Sequence, residues 1–276
     1  MKNKKLRLNK IIIIKKIDDL LDNKKLIYEN KRNIQKGNLL IIRNVIDKKK
    51  INNIKKYLIK IGSNSLPGYE FINTFTPNHH RIVRNDPRSF VKGCFHQFSF
   101  FLWNQDLFNL FELTKKCFWL KNLLAGKKKD EYFKIDNKAK IVPRLSFQFY
   151  PKGEGCLNLH QDPIGFHQVT APLIIMSEKS KKGDFKTGGS YVLDKNDKKI
   201  FIEDHTKIGD LVIYNASIPH GVELIDKKNV LSDWDKFKGR WVMLIATNKI
   251  FGLKTITDSK DLEFNKKKIK SKKIKK

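Results

Sequence analysis

The sequence predicts an α+β, mainly β protein whose core is a double-stranded β-helix, or jelly roll, with supporting helices from the N-terminal half. Three observations carry this reading. From about residue 140 onward, seven short apolar runs are punctuated by Gly, Pro and Asp, and closely spaced short strands are the pattern of double-sheet folds. Earlier in the chain, Ile51, Ile54, Leu58 and Ile61 recur at helical spacing behind Asp47, a good N-cap. The chain has 276 residues, 40% of them apolar. That suffices for one well-filled domain and is too little for two generous ones.

Taken in order, residues 1–36 are rich in Lys and Asn and hold one amphipathic stretch, Ile17 to Ile27. This is expected to be a short helix in an extension ahead of the domain. A single domain is then expected over 37–255. It opens with a buried strand within Gly37–Ile46 and continues with the helix behind Asp47. Residues 62–92 read as loop, with Pro67, Pro77, Pro87 and a basic cluster of His79, His80, Arg81 and Arg84. That cluster suits an anionic substrate or a site cover as well as it suits plain surface. The aromatic stretch Phe95 to Leu124 shows no strict alternation and is expected to form one or two core helices. The strands of the barrel, about 140–250, are Ile141–Tyr150, Gln168–Met176, Ser190–Leu193, Lys199–Ile202, Asp210–Tyr214, Gly221–Ile225 and Arg240–Thr247. Residues 256–276 are expected to be a solvated, disordered tail, with eight lysines in the last twelve positions.

The formal net charge of +30 raises the question of a polyanionic partner. Only eight of the 58 cations are arginine, the residue suited to bidentate phosphate and base recognition. Drift toward Lys, Asn and Ile is therefore favoured over a nucleic-acid function. Cys94, Cys117 and Cys156 are odd in number, far apart in sequence and without CxxC spacing. They do not read as a disulfide framework, which fits a reducing compartment. The four-residue run Ile11–Ile14 is too short for a signal-peptide core, and no later stretch approaches a membrane span. A cytoplasmic protein with no membrane partner is expected. Oligomeric state is not legible.

The chemistry concentrates in the segment Tyr150 to Pro163. His160 and Asp162 are two residues apart, so in an extended chain they point the same way, about 6–7 Å apart. They can grip one metal ion, and a third ligand is needed from elsewhere. His220, behind the strand that Gly209-Asp210 opens, is the candidate. Two histidines and one carboxylate on one face of a metal form the facial triad of non-haem Fe(II) oxygenases. His167 is a rival for His160 but lacks an Asp two residues on, and His205 reads as surface. Tyr150 shares its strand face with Gln148, Ser146 and Arg144, and Asn158 shares that of His160. These four are candidate cavity-lining or substrate-contacting residues.

This ordered set resembles the Fe(II)/2-oxoglutarate dioxygenases, in particular the prolyl-hydroxylase-like and phytanoyl-hydroxylase-like branches. The resemblance rests on Tyr150-Pro151, His160-x-Asp162, Gly188-Gly189, Gly209-Asp210, His220 and Gly239-Arg240-Trp241-Val242, and it covers residues 140–250 well. It implies iron held by His160, Asp162 and His220, with 2-oxoglutarate chelating the metal through its 2-oxo-acid end. Arg240 would receive the far carboxylate and Tyr150 would donate a hydroxyl to it. A guanidinium among Trp241, Val242, Met243, Leu244 and Ile245 is costly to bury unpaired, which agrees with a carboxylate partner. O2 would complete the reaction, hydroxylating a small molecule or an amino-acid side chain and releasing succinate and CO2. The presence of Asp162 in place of a small residue argues against halogenation in this family.

Arg240 lies twenty residues after His220, about twice the usual family spacing. Residues 226–238, with Trp234 and Phe237, therefore read as an inserted loop near the mouth of the site. Lys227 or Lys228 is the fallback for the carboxylate. Two other functions compete with this reading. An oxygenase acting on nucleic acid would fit the charge, but the demethylases of this family carry a second arginine six residues after the first, where this chain has Ala246. A non-catalytic jelly-roll binding protein would not need an intact triad.

Overall fold

Four consecutive isoleucines, Ile11–Ile14, form strand β1, which runs parallel to β2 (Leu39–Ile42). In the computed structural model of the protein, the described residues are 6–64, 79–84, 86, 89–106, 108–134, 141–165, 167–227, 236–249 and 259–263. Helices α1 (Asp18–Leu21) and α2 (Lys24–Gln35) join β1 to β2. Asn23 starts α2 by accepting hydrogen bonds from the backbone N–H groups of Lys25 and Leu26. Leu20 and Ile34 on these helices are buried in the main core. The segment expected as an extension is thus packed into the body of the domain.

Helix α3 (Lys48–Asn64) begins behind Asp47, whose carboxylate accepts from the N–H groups of Lys49 and Lys50 at 2.8 and 3.2 Å. The aromatic stretch then departs from expectation. It holds one strand, β4 (Gly93–Phe101), paired with β3 (His79–Ile82), and one helix, α4 (Leu110–Leu124). The strand was hidden because β4 is covered on both faces, which removes the alternation that marks a half-buried strand. The cluster at His79 to Arg81 is accordingly strand. Residues 65–78 of the expected loop lie outside the described residues.

The barrel strands follow as β5 (Ile141–Pro151), β6 (Cys156–Gln161), β7 (Thr170–Ile175), β8 (Gly189–Leu193), β9 (Lys199–Phe201), β10 (Leu211–Asn215), β11 (His220–Glu223) and β12 (Gly239–Lys249). A two-residue strand, β13 (Lys260–Asp261), pairs with β6. The hydrogen-bonded order is β1-β2-β10-β7-β12-β5-β4-β6-β11-β8-β9. The sheet curls at β4, where Gly93 and Cys94 pair with β6 while His96–Phe101 pair with β5. Two walls result, as a jelly roll requires. Cys94 and Cys156, far apart in sequence, are register partners at this curl, and all three cysteines are free.

Strand alternation sorts the larger wall into two cores. Trp241, Met243 and Ile245 of β12 pack outward with Phe147, Phe149, Ile174 and Ile213 against the helices. Val242, with Leu173, Ile175, Val212, Val192 and Val222, packs inward. A wall buried on both faces is rigid, and a rigid wall is what a site on its inner face needs. Gly209 locks it to the helical layer: it adopts φ +90°, and a Cβ there would fall 2.1 Å from the Ile46 carbonyl oxygen. Its neighbour Asp210 accepts from Arg43 Nη1 at 2.5 Å and from the N–H groups of Asn44 and Lys207, both at 2.9 Å. The Gly209-Asp210 motif therefore ties β10 to the turn between β2 and α3. Among the described residues, no helix is long and apolar enough to cross a membrane.

One cation is sealed between the helices and the wall. Lys121 of α4 is fully buried and donates to Thr247 Oγ1 at 2.6 Å and to the His167 carbonyl at 3.5 Å. Burial pushes its pKa down to about 7. Between that value and the ordinary lysine range the unfolded chain holds the extra proton, so stability rises with pH across this window and the charge costs stability below it. Lys121→Met should raise the unfolding free energy at pH 7 by on the order of 1–4 kcal/mol. In urea melts its advantage should shrink as the pH is raised toward 10; an advantage independent of pH would refute the assignment.

Candidate metal centre

The pairing of β6 with β11 places His160 directly opposite His220. Opposed residues of an antiparallel pair project from the same face, and the two imidazole centroids are 4.2 Å apart. Asp162, just beyond the end of β6, brings Oδ1 to 3.7 Å from His160 Nε2 and Oδ2 to 3.5 Å from His220 Nε2. One ligand atom from each of the three lies within 4.8 Å of the others. An ion with bonds of roughly 2.0–2.2 Å reaches all three after sub-ångström adjustment.

Orientation of the rings argues for a metal more strongly than proximity does. His160 Nδ1 is 2.8 Å from the Asn158 carbonyl oxygen, and His220 Nδ1 is 2.7 Å from that of Ile218. A carbonyl only accepts, so each Nδ1 carries a proton and each Nε2 is the ring atom turned to the shared space. Burial pushes His160 down to about 4, helped by the neighbouring His220, which keeps the ring in its neutral, ligating form. Burial alone would raise the Asp162 carboxyl. The hydrogen bond and charge of His220, followed by His160 and Ser259, outweigh that and hold it well below the usual carboxylate range. No described lysine or arginine pairs with Asp162. A buried carboxylate between two inward-facing imidazoles is a site for a divalent cation, and the donor set fits iron.

Asp162 is steadied by residues the sequence reading missed. Ser259 Oγ donates to its Oδ1 at 2.7 Å. In the same strap, Asp261 accepts from the Lys92 N–H and the Asn158 side chain, and Glu263 accepts from the Leu159 N–H. Part of the segment expected as a disordered tail is therefore laid along the ligand strand. Residues 264–276 lie outside the described residues. Asn158 serves the site through its carbonyl, since its amide is held by Asp261.

Arg240 sits on the inner face of β12 opposite Tyr150 and is 1% exposed. Its guanidinium carbon lies 5.3 Å from the centroid of the Tyr150 ring, a cation–π contact. It already has a carboxylate partner: Nε donates to Glu203 Oε1 at 2.5 Å, and Nη2 donates to Ser190 Oγ. Arg240 Nη1 and Glu203 Oε2 are buried without hydrogen-bond partners among the described residues. Glu203 was not singled out from sequence, because one acid in a polar turn carries no pattern. The glycine before Ser190 marks its place: Gly189 has φ +110°, and a Cβ there would fall 2.7 Å from Glu203 Oε2.

Tyr150 hydroxyl donates to Gln148 Oε1 at 2.7 Å, and Gln148 donates onward to Gln97 at 3.0 Å. The expected donor to a co-substrate carboxylate is thus engaged within the wall. Ser146 is fully buried on the same face and Arg144 lies beyond it. Tyr214 spans the two clusters. Its ring meets that of His220 edge-on at 5.2 Å, and its hydroxyl is pushed far up by burial and by Asp162. His167 is buried outside the triad, Lys227 is exposed, and Lys228 and Trp234 lie outside the described residues. Phe237, expected near the mouth of the site, instead packs outward on Phe149 and Trp241 at 5.0 and 5.8 Å. Phe237 itself has φ +45°, and it lies in the main core.

No family model and no curated protein matches the chain. Solved structures do. JOX2, in complex with 2OG, Fe and JA, aligns with a TM-score of 0.52 at 13% identity, over 95% of this chain and 81% of that one. A proposed oxygenase from Shewanella oneidensis aligns with a TM-score of 0.50 at 12% identity, over 94% of this chain and 98% of that one. At such identities the likeness is one of fold: the chain shares its curled, mostly β jelly roll with these structures.

His220→Ala should lower the affinity for Co(II) or Mn(II) by at least about 100-fold in calorimetric titrations. Ser259→Ala, which removes only the hydrogen bond to Asp162, should weaken it by about 10–100-fold. Equal and unchanged affinities in both variants would remove the metal from this site.

Proposed function

We propose that the protein is an Fe(II)- and 2-oxoglutarate-dependent oxygenase that hydroxylates a small molecule or an amino-acid side chain. The observation that carries this reading is the inward-facing triad, with both Nδ1 atoms tied to backbone carbonyls and both Nε2 atoms facing the Asp162 carboxylate. Three protein ligands on one face leave the opposite face of the ion open to exogenous ligands. Bound iron and 2-oxoglutarate supply activation of O2, coupled to decarboxylation of the co-substrate to succinate and CO2 and oxidation of a substrate C–H bond.

The chain's own residues do the rest. His160, His220 and Asp162 hold the metal, and Ser259 fixes the carboxylate that completes the set. Arg240 offers its remaining Nη1 N–H to the far carboxylate of the co-substrate, held level by the Tyr150 ring beneath it. Val192, Val222, Val242 and Ile175 line the inner wall with apolar surface, excluding water and strengthening the polar contacts at either end. The fold shared with JOX2, a protein solved with 2OG, Fe and JA, supports a reading that involves iron and 2-oxoglutarate. A reducing, cytoplasmic setting agrees with three free thiols.

Anaerobic addition of Fe(II) and 2-oxoglutarate to the full chain should develop a visible charge-transfer band. His160→Ala should abolish it, and Arg240→Ala should raise the 2-oxoglutarate concentration for half-maximal signal by about tenfold or more. A folded protein that binds Fe(II) yet shows no band would overturn the co-substrate assignment.

A further inference from the structure

Arg240 carries one positive charge, and Glu203 already neutralises it inside the barrel. The pair is fully enclosed, with side-chain exposures of 1% and 2%, so water screens it little. The hydroxyl groups around it, Ser190 on β8 and Tyr150 on β5, bring no charge. An arriving carboxylate therefore meets a neutral guanidinium–carboxylate unit in place of a free cation. It finds the unpartnered Arg240 Nη1 as a donor, and the unpartnered Glu203 Oε2, an acceptor, repels it. The arrangement is built in: Glu203 follows the buried Ile202 in a single 3-10 turn, and Gly189 leaves the space its Oε2 occupies.

We propose that Glu203 is a specificity-determining residue for the co-substrate, holding Arg240 in the unliganded protein and competing for it with the distal carboxylate of a 2-oxo dicarboxylic acid. The inference rests on the 2-oxoglutarate reading above. The entering carboxylate takes the free Nη1 edge first and then displaces Glu203 from Nε. Part of the attraction that a free arginine would give the distal carboxylate is lost to that exchange. A 2-oxo monocarboxylic acid of the same chain length makes no claim on Arg240 and does not feel the competition. Discrimination between the two acids is therefore smaller than the bare arginine would give, and Glu203 sets how much smaller.

Glu203→Gln retains the shape and removes the charge. With Mn(II) in place of Fe(II), binding of 2-oxoglutarate and of 2-oxovalerate to the full chain is measured by calorimetry for wild type and variant, and thermal melts are recorded with and without each acid. The expected result is about tenfold tighter binding of 2-oxoglutarate by the variant, with 2-oxovalerate changed by less than about threefold. The melting shift induced by 2-oxoglutarate should also be larger in the variant, because the ligand re-pairs an arginine left unpaired. Unchanged or weaker 2-oxoglutarate binding by a variant that still binds Mn(II) overturns the proposal. Failure of wild type and variant alike to bind 2-oxoglutarate while binding Mn(II) removes the co-substrate reading itself, and this inference with it. Should Glu203→Gln not fold, Glu203→Asp, which keeps the charge but withdraws it by one methylene, decides: tighter 2-oxoglutarate binding by about threefold is expected, and none overturns the proposal.

Discussion

The pairing of His160 with His220 across β6 and β11 is the contact on which the rest of the molecule depends. A register shift of one residue would turn either imidazole out of the barrel. The pairing is defended from several directions. Gly93 and Cys94 of β4 hold the other edge of β6, β8 holds the other edge of β11, and β13 pairs with Gln161 and His160 at the ligand end of β6. Each ring is then tethered to the backbone two residues before it. The tethers are local, so ring orientation travels with the strand and does not rely on distant side chains.

The second constraint is the burial of the larger wall on both faces. Outward-facing Trp241, Phe147 and Phe149 anchor it to the helices, while the alternate positions carry Arg240, Tyr150 and Gln148 into the barrel. Moving Arg240 therefore means moving a strand whose other side is packed in the main core. Polar groups at the Arg240 end are tied together by short links, Tyr150 to Gln148 to Gln97 and Arg240 to Glu203 and Ser190. In a medium of low polarizability such links resist rearrangement, so a ligand must supply a matching group to break one.

The parts legible in the sequence were those governed by local rules. The Asp47 cap and its helix, the strand runs after residue 140 and the His-x-Asp spacing all follow from one segment at a time, and each has its counterpart in the structure. What escaped depends on pairing between distant segments. β4 was read as helix because two-sided burial erases its alternation. Glu203 is an isolated acid until the fold brings it to Arg240. Cys94 and Cys156 stand 62 residues apart and still face each other across the curl. Ser259 sits in a lysine-rich neighbourhood whose composition gives no hint of a buried partner.

The strap from Ser259 to Glu263 has a consequence for how the site comes into being. His160, Asp162 and His220 leave the ribosome well before the residue that steadies Asp162. Until the strap docks, the Asp162 carboxylate lacks its hydrogen bond from Ser259 and is less restrained. The final hydrogen bond arrives with the strap and closes β6 from its exposed edge. Loading of the ion and docking of the strap reinforce each other by mass action: each favours the carboxylate position that the other needs.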